Sequence, residues 1–299
     1  MTHRILLDVS SLGYRAYFAM RDSVRSPDGR NVGILYGYLD MVTRLLVNRR
    51  PDEIVHVYDH EWRPVHRTDV YADYKGNRQA DPEDLPPQFL LLREVLDLTG
   101  LLQAQSEGWE AEDAIGAFCL DARHDDRIEI VSGDRDLIQL VDDPVVKLLF
   151  TIRGVSDLLE LDEAAVMDKY GVPASRYVDF AILRGDPSDG LPGVRGVGEK
   201  TARALILAYP SLDELLADAA STSPRAGPLK GKPALRSRLV EAAGYIEKMR
   251  ELVPIRSTAD LSVWAGERND EALLALAERN GFKGPARRLL AALDSTNAT

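Results

Sequence analysis

Short apolar runs that each end in an acidic residue recur along the first half of the chain. Their isoleucine, leucine and valine content and their length are typical of buried strands in a parallel sheet. The runs are residues 4–8, 53–59 and 128–134, and they close on Asp8, Asp59 and Asp134. Residues 145–150 have the same apolar character. The pattern predicts a strand at each run, with the acid at the carboxyl end of three of them.

Between and after these runs, apolar residues recur every three or four positions, which predicts amphipathic helices. In the first half these are residues 10–20, 32–47, 88–98 and 110–122. Later they are residues 162–171, 174–185, 199–209 and 211–220, with further helices near 233–252 and 270–293 and a last extended piece at 252–258. Strands alternating with helices predict an α/β fold with a mainly parallel central sheet flanked by helices. We expect an α/β part at residues 1–160 and a helical lobe at 161–299.

Residues 60–87 follow neither pattern. The stretch is polar, basic and aromatic, and carries Trp62, Arg67, Tyr74, Lys75 and Arg78. A loop of this length inside a compact domain is usually functional or disordered. Aromatic rings interleaved with cations suit a single-stranded nucleic acid, which stacks its bases and needs its phosphates neutralised. A solvated polar excursion is the alternative interpretation.

The acids at the strand ends should converge, because ligands of parallel sheets bind at the carboxyl ends of the strands. Two carboxylates about 4 Å apart repel by roughly 4 kcal/mol at an effective dielectric constant near 20. Divalent cations would relieve this repulsion, and donors that are all oxygen favour Mg²⁺ or Mn²⁺ over zinc. Further acids lie in EAED at 110–113, although the helix dipole alone explains acids in a first turn. The others are Asp136, Asp186 and Asp189.

A glycine-rich stretch, residues 185–202, reads GDPSDGLPGVRGVGEKTA. Gly193, Gly196 and Gly198 lead into the predicted helix at 199–209, whose free N–H groups suit a phosphate. A tight turn between two helices would explain the glycines equally well. The two acids just before the turn favour phosphodiester chemistry, because carboxylates that can bind a metal would then lie beside amides that can bind a phosphate.

Composition bounds the possible partners. The 299 residues are 45% hydrophobic, enough for a sizeable core, and the single Cys119 excludes an internal disulfide and fits a reducing cytoplasm. No apolar run predicts a membrane span or a signal peptide.

The net charge of −11 argues against a nucleic-acid partner, but the charge falls to −2 when nine carboxylates are assigned to a metal site. A basic stretch at 225–250 could track phosphates or form a solvated helix face; its cations are residues 225, 230, 232, 236, 238, 248 and 250.

These motifs together resemble the 5′-nuclease/flap endonuclease family. They are the spacing of Asp8 and Arg15, YDHEWRPVHR at 58–67, YKGNR at 74–78, EAED at 110–113, SGDRDLIQL at 132–140 and the glycine-rich stretch. The resemblance covers residues 4–255 in the family's order and is closest to the 5′-nuclease domain of bacterial DNA polymerase I. It implies a PIN-like 5′-nuclease fold with an arch-like loop at 60–87. It also implies a helical lobe with a helix–two-turn–helix motif at 185–208.

The resemblance further implies a metal-dependent 5′-3′ exonuclease and flap endonuclease for DNA replication and repair. Two divalent cations, Mg²⁺ or Mn²⁺, would be held by Asp8, Asp59, Glu110, Glu112 and Asp113 at one position and Asp134, Asp136, Asp186 and Asp189 at the other. Lys75 and Arg78 match the cations that act on the scissile phosphate. DNA would be contacted by Arg15, Arg67, Tyr74, Gly193, Val194, Gly196, Val197, Gly198 and Lys200. The main-chain carbonyls of Val194 and Val197 would also hold a K⁺ ion.

The implied partner is DNA with a 5′ single strand beside a duplex, at a flap, nick or gap. A separate polymerase and ligase would act with it, since no polymerase domain follows, and a cytoplasmic monomer is expected. Two positions depart from the common bacterial pattern: Glu112 stands where aspartate is usual, and Gly190 where many relatives have asparagine. Two other functions stay open at this point. One is a structure-specific DNA-binding protein with degenerate chemistry, and the other is a small PIN-like ribonuclease.

Overall fold

A seven-stranded sheet forms the centre of the computed structural model, which describes residues 1–21, 23–153, 155–223 and 227–296. The strands are β1 (His3–Asp8), β2 (Glu53–Val57), β3 (Leu102–Gln105), β4 (Arg127–Ser132), β5 (Val146–Thr151), β6 (Leu158–Leu161) and β7 (Ser262–Ala265). Their order is β6-β5-β4-β1-β2-β3-β7. The five inner strands are parallel, and β6 and β7 are antiparallel to their neighbours. The predicted α/β class with a mainly parallel sheet is confirmed.

The register brings the predicted acidic residues to one edge. β1 lies between β2 and β4, with Asp8 opposite Val57 and Leu7 opposite Val131. Asp59 and Asp134 follow the ends of β2 and β4, so both lie on the same side of the sheet as Asp8. The convergence therefore results from three parallel neighbours that end level with one another.

Helices cover both faces of the sheet and form the lobe after β6. They are α1 (Val9–Met20), α2 (Gly33–Arg49), α3 (Val65–Val70), α4 (Pro86–Asp97), α5 (Ala111–Leu120), α6 (Glu163–Tyr170), α7 (Tyr177–Arg184), α8 (Glu199–Ala208), α9 (Leu212–Ala220), α10 (Pro233–Glu241), α11 (Ala243–Leu252), α12 (Asp270–Asn280) and α13 (Lys283–Thr296). Short 3₁₀ turns occupy Asp136–Leu140, Ala174–Arg176 and Pro187–Asp189. Each predicted helix is present with shifted ends, and the last two predicted segments are each divided into two helices.

Two expectations about local structure are wrong. The extended piece at 252–258 is absent, because α11 ends at Leu252 and the following residues form turns; the strand of this region is β7, at 262–265. The loop at 60–87 contains α3, which has only six residues. A helix this short is marginal by itself, and the structure holds it through tertiary contacts of Arg67 that no periodic pattern reports.

Two apolar cores lie on the two faces of the sheet, and alternate residues of β1 point into each. Leu6 packs with α5 and α7, whereas Ile5 and Leu7 pack with α1, α2 and α4. This alternation follows from the two-residue period of a strand. Because both faces are covered, polar groups of the inner strands reach solvent mainly at the strand ends.

The end of the described chain returns to the α/β part. β7 pairs with β3, and Leu273 of α12, Leu289 of α13 and Phe282 between these helices pack in the core that contains Ile5 and Leu7. The division at residue 160 stays a prediction, but residues 262–296 pack with the sheet rather than with the helical lobe that was expected to include them.

Within the described ranges, no helix is both long and apolar enough to cross a membrane.

Candidate active site

A cavity of about 550 Å³ opens at the carboxyl edge of the sheet and collects most of the predicted acids together with the two predicted catalytic cations. Six of the nine predicted acids line it: Asp8, Asp59, Glu110, Glu112, Asp134 and Asp186. Arg15, Lys75 and Arg78 line it as well. The remaining three acids, Asp113, Asp136 and Asp189, contact lining residues from behind or beside the cavity.

Serine hydroxyls and backbone amides orient the acids at the ends of the strands. Asp8 caps α1 by accepting from the Ser11 N–H at 3.0 Å, and the Ser132 hydroxyl donates to its other oxygen at 2.7 Å. Asp59 accepts from the Ala111 N–H at 2.8 Å and from the Ser10 hydroxyl. These bonds fix both carboxylates against the cavity wall.

The loop after β4 positions a second pair of carboxylates. The Asp134 N–H donates to the Ser132 hydroxyl at 2.9 Å, and the Asp134 carboxylate accepts from the Asp136 N–H at 2.9 Å. Across the cavity, Asp186 accepts from the Ser188 N–H at 2.9 Å and caps the short turn that carries Asp189. The two pairs, far apart in sequence, thus border one cavity.

The acidic turn of α5 surrounds a buried arginine. Arg67, from α3, is 4% exposed and donates twice to Asp113, at 2.9 and 3.0 Å. It also pairs with Glu110 at 2.8 Å and with Glu112. Glu110, Glu112 and Asp113 offer oxygens within 4.8 Å of one another, a spacing that would also suit a metal ion. Here the guanidinium group already supplies the positive charge at the centre of this trio.

Two residues expected to contact DNA, Tyr74 and Arg67, are buried instead. Tyr74 is 1% exposed, and its hydroxyl donates to Glu110 at 2.9 Å and accepts from Arg67 at 2.9 Å. Arg67 lies equally deep. The correction has a simple cause: charged side chains are rarely buried unless paired, and α3 brings Arg67 onto three carboxylates that the sequence places more than 40 residues away.

Lys75 and Arg78, the predicted catalytic cations, both line the cavity. Lys75 has a left-handed backbone with φ 52° and lies in a turn, and its N–H donates to the Asp189 carbonyl at 2.9 Å. Its ammonium group bonds Glu110. Arg78 donates to Asp189 at 2.9 Å. The backbone bond to the Asp186–Asp189 turn thus places both cations beside the acids.

Burial and mutual repulsion alter the acidity of the site. Burial, followed by repulsion from Asp59, raises the pKa of Asp8 to about 7. Burial, followed by repulsion from Glu112, raises the pKa of Asp134 to about 6, and burial with repulsion from Asp134 raises that of Asp136 well above its ordinary value. Burial also disfavours the charged form of Glu112, but Arg67 and Lys75 outweigh it and lower the pKa. Glu110 contacts both cations, yet burial and repulsion from Glu112 still raise its pKa, to about 8.

The glycine-rich stretch forms a tight turn between α7 and α8. Gly193 has φ +68°, and a Cβ there would lie 2.5 Å from the Arg184 backbone; Gly196 has φ +74°. The Val194 N–H donates to Leu183 at 2.9 Å and the Val197 N–H to Val194 at 2.9 Å, with both side chains buried. Gly198 is different. Its φ of −88° suits any residue and a Cβ would meet nothing within 4 Å, so the fold itself does not require glycine at this position.

Other predicted positions are distributed around this turn. Lys200 is exposed in the first turn of α8. Gly190 has φ +74°, and a Cβ at this position would lie only 2.9 Å from the carbonyl oxygen of Asp73. In the basic stretch, Arg236 donates to backbone carbonyls and Arg250 pairs with Asp213 at 2.7 Å, whereas Lys230 and Lys232 are exposed. Residue 225 lies outside the described residues.

Sequence reasoning missed several supporting side chains. Ser10, Ser11 and Ser132 bond the acids at the ends of β1, β2 and β4, and Arg135 lines the cavity 3.5 Å from Asp186. Their position beside each strand-end acid was the available signal, since a hydroxyl there can satisfy a buried carboxylate.

Two family models match the chain in succession. The model described as 5′-3′ exonuclease, N-terminal resolvase-like domain, matches residues 3–171, and the one described as 5′-3′ exonuclease, C-terminal SAM fold, matches residues 172–269. A 5′-3′ exonuclease of Streptomyces coelicolor is 40% identical over 97% of this chain and 99% of that protein. One of Mycobacterium tuberculosis is 36% identical over 97% and 98%. DNA polymerase I of that organism is 36% identical over 86% of this chain and 28% of its own length.

Solved structures agree on the fold. The bacteriophage T5 5′-exonuclease with bound zinc has a TM-score of 0.67 at 18% identity, covering 98% of each chain. Human GEN1 in complex with Holliday junction DNA has a TM-score of 0.63 at 18% identity, covering 99% of this chain and 72% of that one. The PIN-like sheet with a helical C-terminal part is thus shown, and the near full-length exonuclease relatives show a nuclease that acts on DNA. The chain belongs to the 5′-3′ exonuclease family.

Proposed function

We propose that this nuclease is a Mg²⁺- or Mn²⁺-dependent, structure-specific 5′-3′ exonuclease and flap endonuclease that acts in DNA replication and repair. The observation that carries the proposal is the cavity at the sheet edge, which six carboxylates and the cations Arg15, Lys75 and Arg78 line together. Carboxylates alone would repel a phosphodiester, and cations alone would hold it without cleaving it. Their combination suits hydrolysis of a phosphate ester.

The donor set fits hard divalent cations. All candidate ligands are carboxylate oxygens, and the pKa values of Asp8 and Asp134 are raised by burial and by repulsion from neighbouring carboxylates. Asp8, Asp59, Glu110 and Glu112 would hold one cation, and Asp134, Asp136, Asp186 and Asp189 the other. When bound, the cations would activate the attacking water and neutralise charge on the phosphate oxygens. Asp113, with both oxygens engaged by Arg67, would act by holding the α5 turn in place.

Lys75 and Arg78 would bind the scissile phosphate and offset the charge that develops on it. Both lie where the turn at Asp186–Asp189 meets the acids, so the phosphate would be held between them and the carboxylate wall. The turn at 193–198, with Lys200 at the start of α8, would contact the duplex backbone through its amides, and the carbonyls of Val194 and Val197 would hold K⁺. A separate polymerase and ligase would complete the repair of the cleaved DNA in the bacterial cytoplasm.

Affinity for Mg²⁺ or Mn²⁺ is expected to rise by about tenfold or more between pH 6 and pH 8, because a cation must displace the proton of Asp8. The pKa of Asp8 is raised to about 7 in the folded protein. The stability that this proton confers on the metal-free protein is fully present below about pH 4 and is lost as pH rises through about 7. Calorimetric titration with Mn²⁺ at both pH values measures the affinity.

The matched control for that titration is Asp8→Asn, which removes the titrating group and should flatten the pH dependence while weakening binding. An affinity that stays constant or falls between pH 6 and pH 8 would show that the raised pKa of Asp8 is not linked to cation binding.

A substrate panel separates the proposal from the two alternatives. We expect cleavage of labelled 5′-flap and nicked duplex DNA with Mg²⁺ or Mn²⁺, abolished by EDTA, and little cleavage of single-stranded RNA. Preferred cleavage of RNA would assign the site to a ribonuclease. Tight binding of the flap without cleavage in either metal would indicate a DNA-binding protein with degenerate chemistry.

A further inference from the structure

A groove lined by arginines extends from the candidate active site along α2. Its first part, about 460 Å³, lies between α1, α2 and the connection from β5 to β6. Its second part, about 260 Å³, continues along α2 and shares Arg44, Val155 and Ser156 with the first. Arg15 lines both the first part and the acidic cavity. The first and second parts together are here called the α2 groove, which adjoins the acidic cavity at Arg15.

The charge of the α2 groove is opposite to that of the whole protein. Its lining cations are Arg15, Arg44, Arg49 and Arg153, in a chain of net charge −11. Asp40, the acid that lines the first part, is paired with Arg288 at 2.7 Å. Arg49 is engaged by Glu129 at 3.2 Å and by Glu160 at 2.5 Å. Arg44 and Arg153 are exposed and supply charge that these pairs do not offset.

The groove follows the line where α1 and α2 pack closely. A Cβ at Gly37 of α2 would come within 2.7 Å of the Ala16 Cβ of α1. Lining positions of α2 run from Gly37 to Arg49 at helical spacing, a path of about 18 Å at 1.5 Å per residue. A DNA strand advances about 3.4 Å per nucleotide, so this path spans several phosphates.

We propose that the α2 groove binds the phosphodiester backbone of the duplex part of the substrate as it leaves the active site. The proposal rests on the proposed function, because it takes the acidic cavity as the point of cleavage. None of the lining residues in the described part of the chain is aromatic, so the groove lacks the rings on which unpaired bases stack. Arginine side chains without aromatic residues among them instead suit contacts to phosphates, which position a protein on DNA but carry no sequence information.

The test is the salt dependence of binding to a blunt duplex in Ca²⁺, with the wild-type chain, Arg44→Gln, Arg153→Gln and the double variant. Each lost phosphate contact reduces the slope of log K against log salt by about 0.9. The slope of the double variant should therefore be smaller by about 1.8. Between 50 and 200 mM salt, the loss of affinity of the wild type should exceed that of the double variant by a factor of about ten. Single-stranded DNA of equal length should show a much smaller change.

The matched control is Arg123→Gln, an exposed arginine in the connection between α5 and β4, at the opposite edge of the sheet. Its slope should equal that of the wild type. An unchanged duplex slope in the double variant, or a loss confined to single-stranded DNA, would overturn the proposal. If the proposed function were wrong, the wild-type protein itself would fail to bind DNA or fail to cleave it.

Discussion

Replacing Asp134 by alanine should reduce single-turnover cleavage of a 5′-flap substrate by about a thousandfold or more while DNA binding survives. Loss of a cation ligand removes several kcal/mol of charge stabilisation, and each ~1.4 kcal/mol corresponds to tenfold in rate. Binding should persist or strengthen, because one negative charge that faces the phosphates is removed. Rapid-quench kinetics at saturating enzyme and fluorescence anisotropy in Ca²⁺ measure the two effects.

The structure also supplies the control for a merely structural effect. The Asp134 carboxylate accepts the Asp136 N–H at 2.9 Å, and Asp134→Asn keeps an acceptor for that bond but not the charge. Both variants should lose activity alike. Recovery of the wild-type rate in Asp134→Asn would mean that the carboxylate only shapes the loop. Asp121→Asn, an exposed acid at the far end of α5, should cleave normally.

Lys75→Ala should lower the single-turnover rate at saturating enzyme by about a hundredfold or more, the usual cost of losing a donor aimed at developing charge. Lys75 lines the acidic cavity, its ammonium group bonds Glu110, and only 6% of the residue is exposed. The variant keeps a counter-ion for Glu110 in Arg67, 2.8 Å away, so the fold should survive. Binding of the 5′ flap in Ca²⁺ should fall only modestly.

Lys232→Ala is the control for a cation that only follows the DNA backbone. Lys232 is exposed at the start of α10, far in sequence from the acids. This variant should weaken binding and flatten its salt dependence, with normal cleavage once enzyme is saturating. If Lys75→Ala behaved in the same way, Lys75 would be a phosphate tether and its proposed catalytic role would be wrong.

The local pattern of the sequence was sufficient to predict the frame of the site. A buried parallel strand has a recognisable composition, and its carboxyl end is where ligands bind. Asp8, Asp59 and Asp134 were therefore placed at one edge before the sheet order was known, and the register confirms it. Helix periodicity was likewise informative, because one face of nearly every helix is buried in one of the two cores.

What the sequence pattern could not predict was the pairing of side chains across elements. Arg67 is predicted to contact DNA from the family resemblance and from its place in a stretch of cations and aromatic rings. Its actual position depends on how α3 packs against α5, and this packing buries Arg67 among Glu110, Glu112 and Asp113. The left-handed turn at Lys75 likewise depends on a backbone bond to Asp189, which lies more than a hundred residues away.

The sequence by itself thus determined the acidic edge of the sheet and the residue types that meet there, since both follow from periods of two and of three to four residues. Only the tertiary structure decided which acids have an internal counter-ion, which cations reach the cavity, and where the arginines of the α2 groove lie. These features arise from contacts between residues distant in sequence, such as Arg15 with Ile152 and Arg78 with Asp189, whose free energies depend on packing rather than on local pattern.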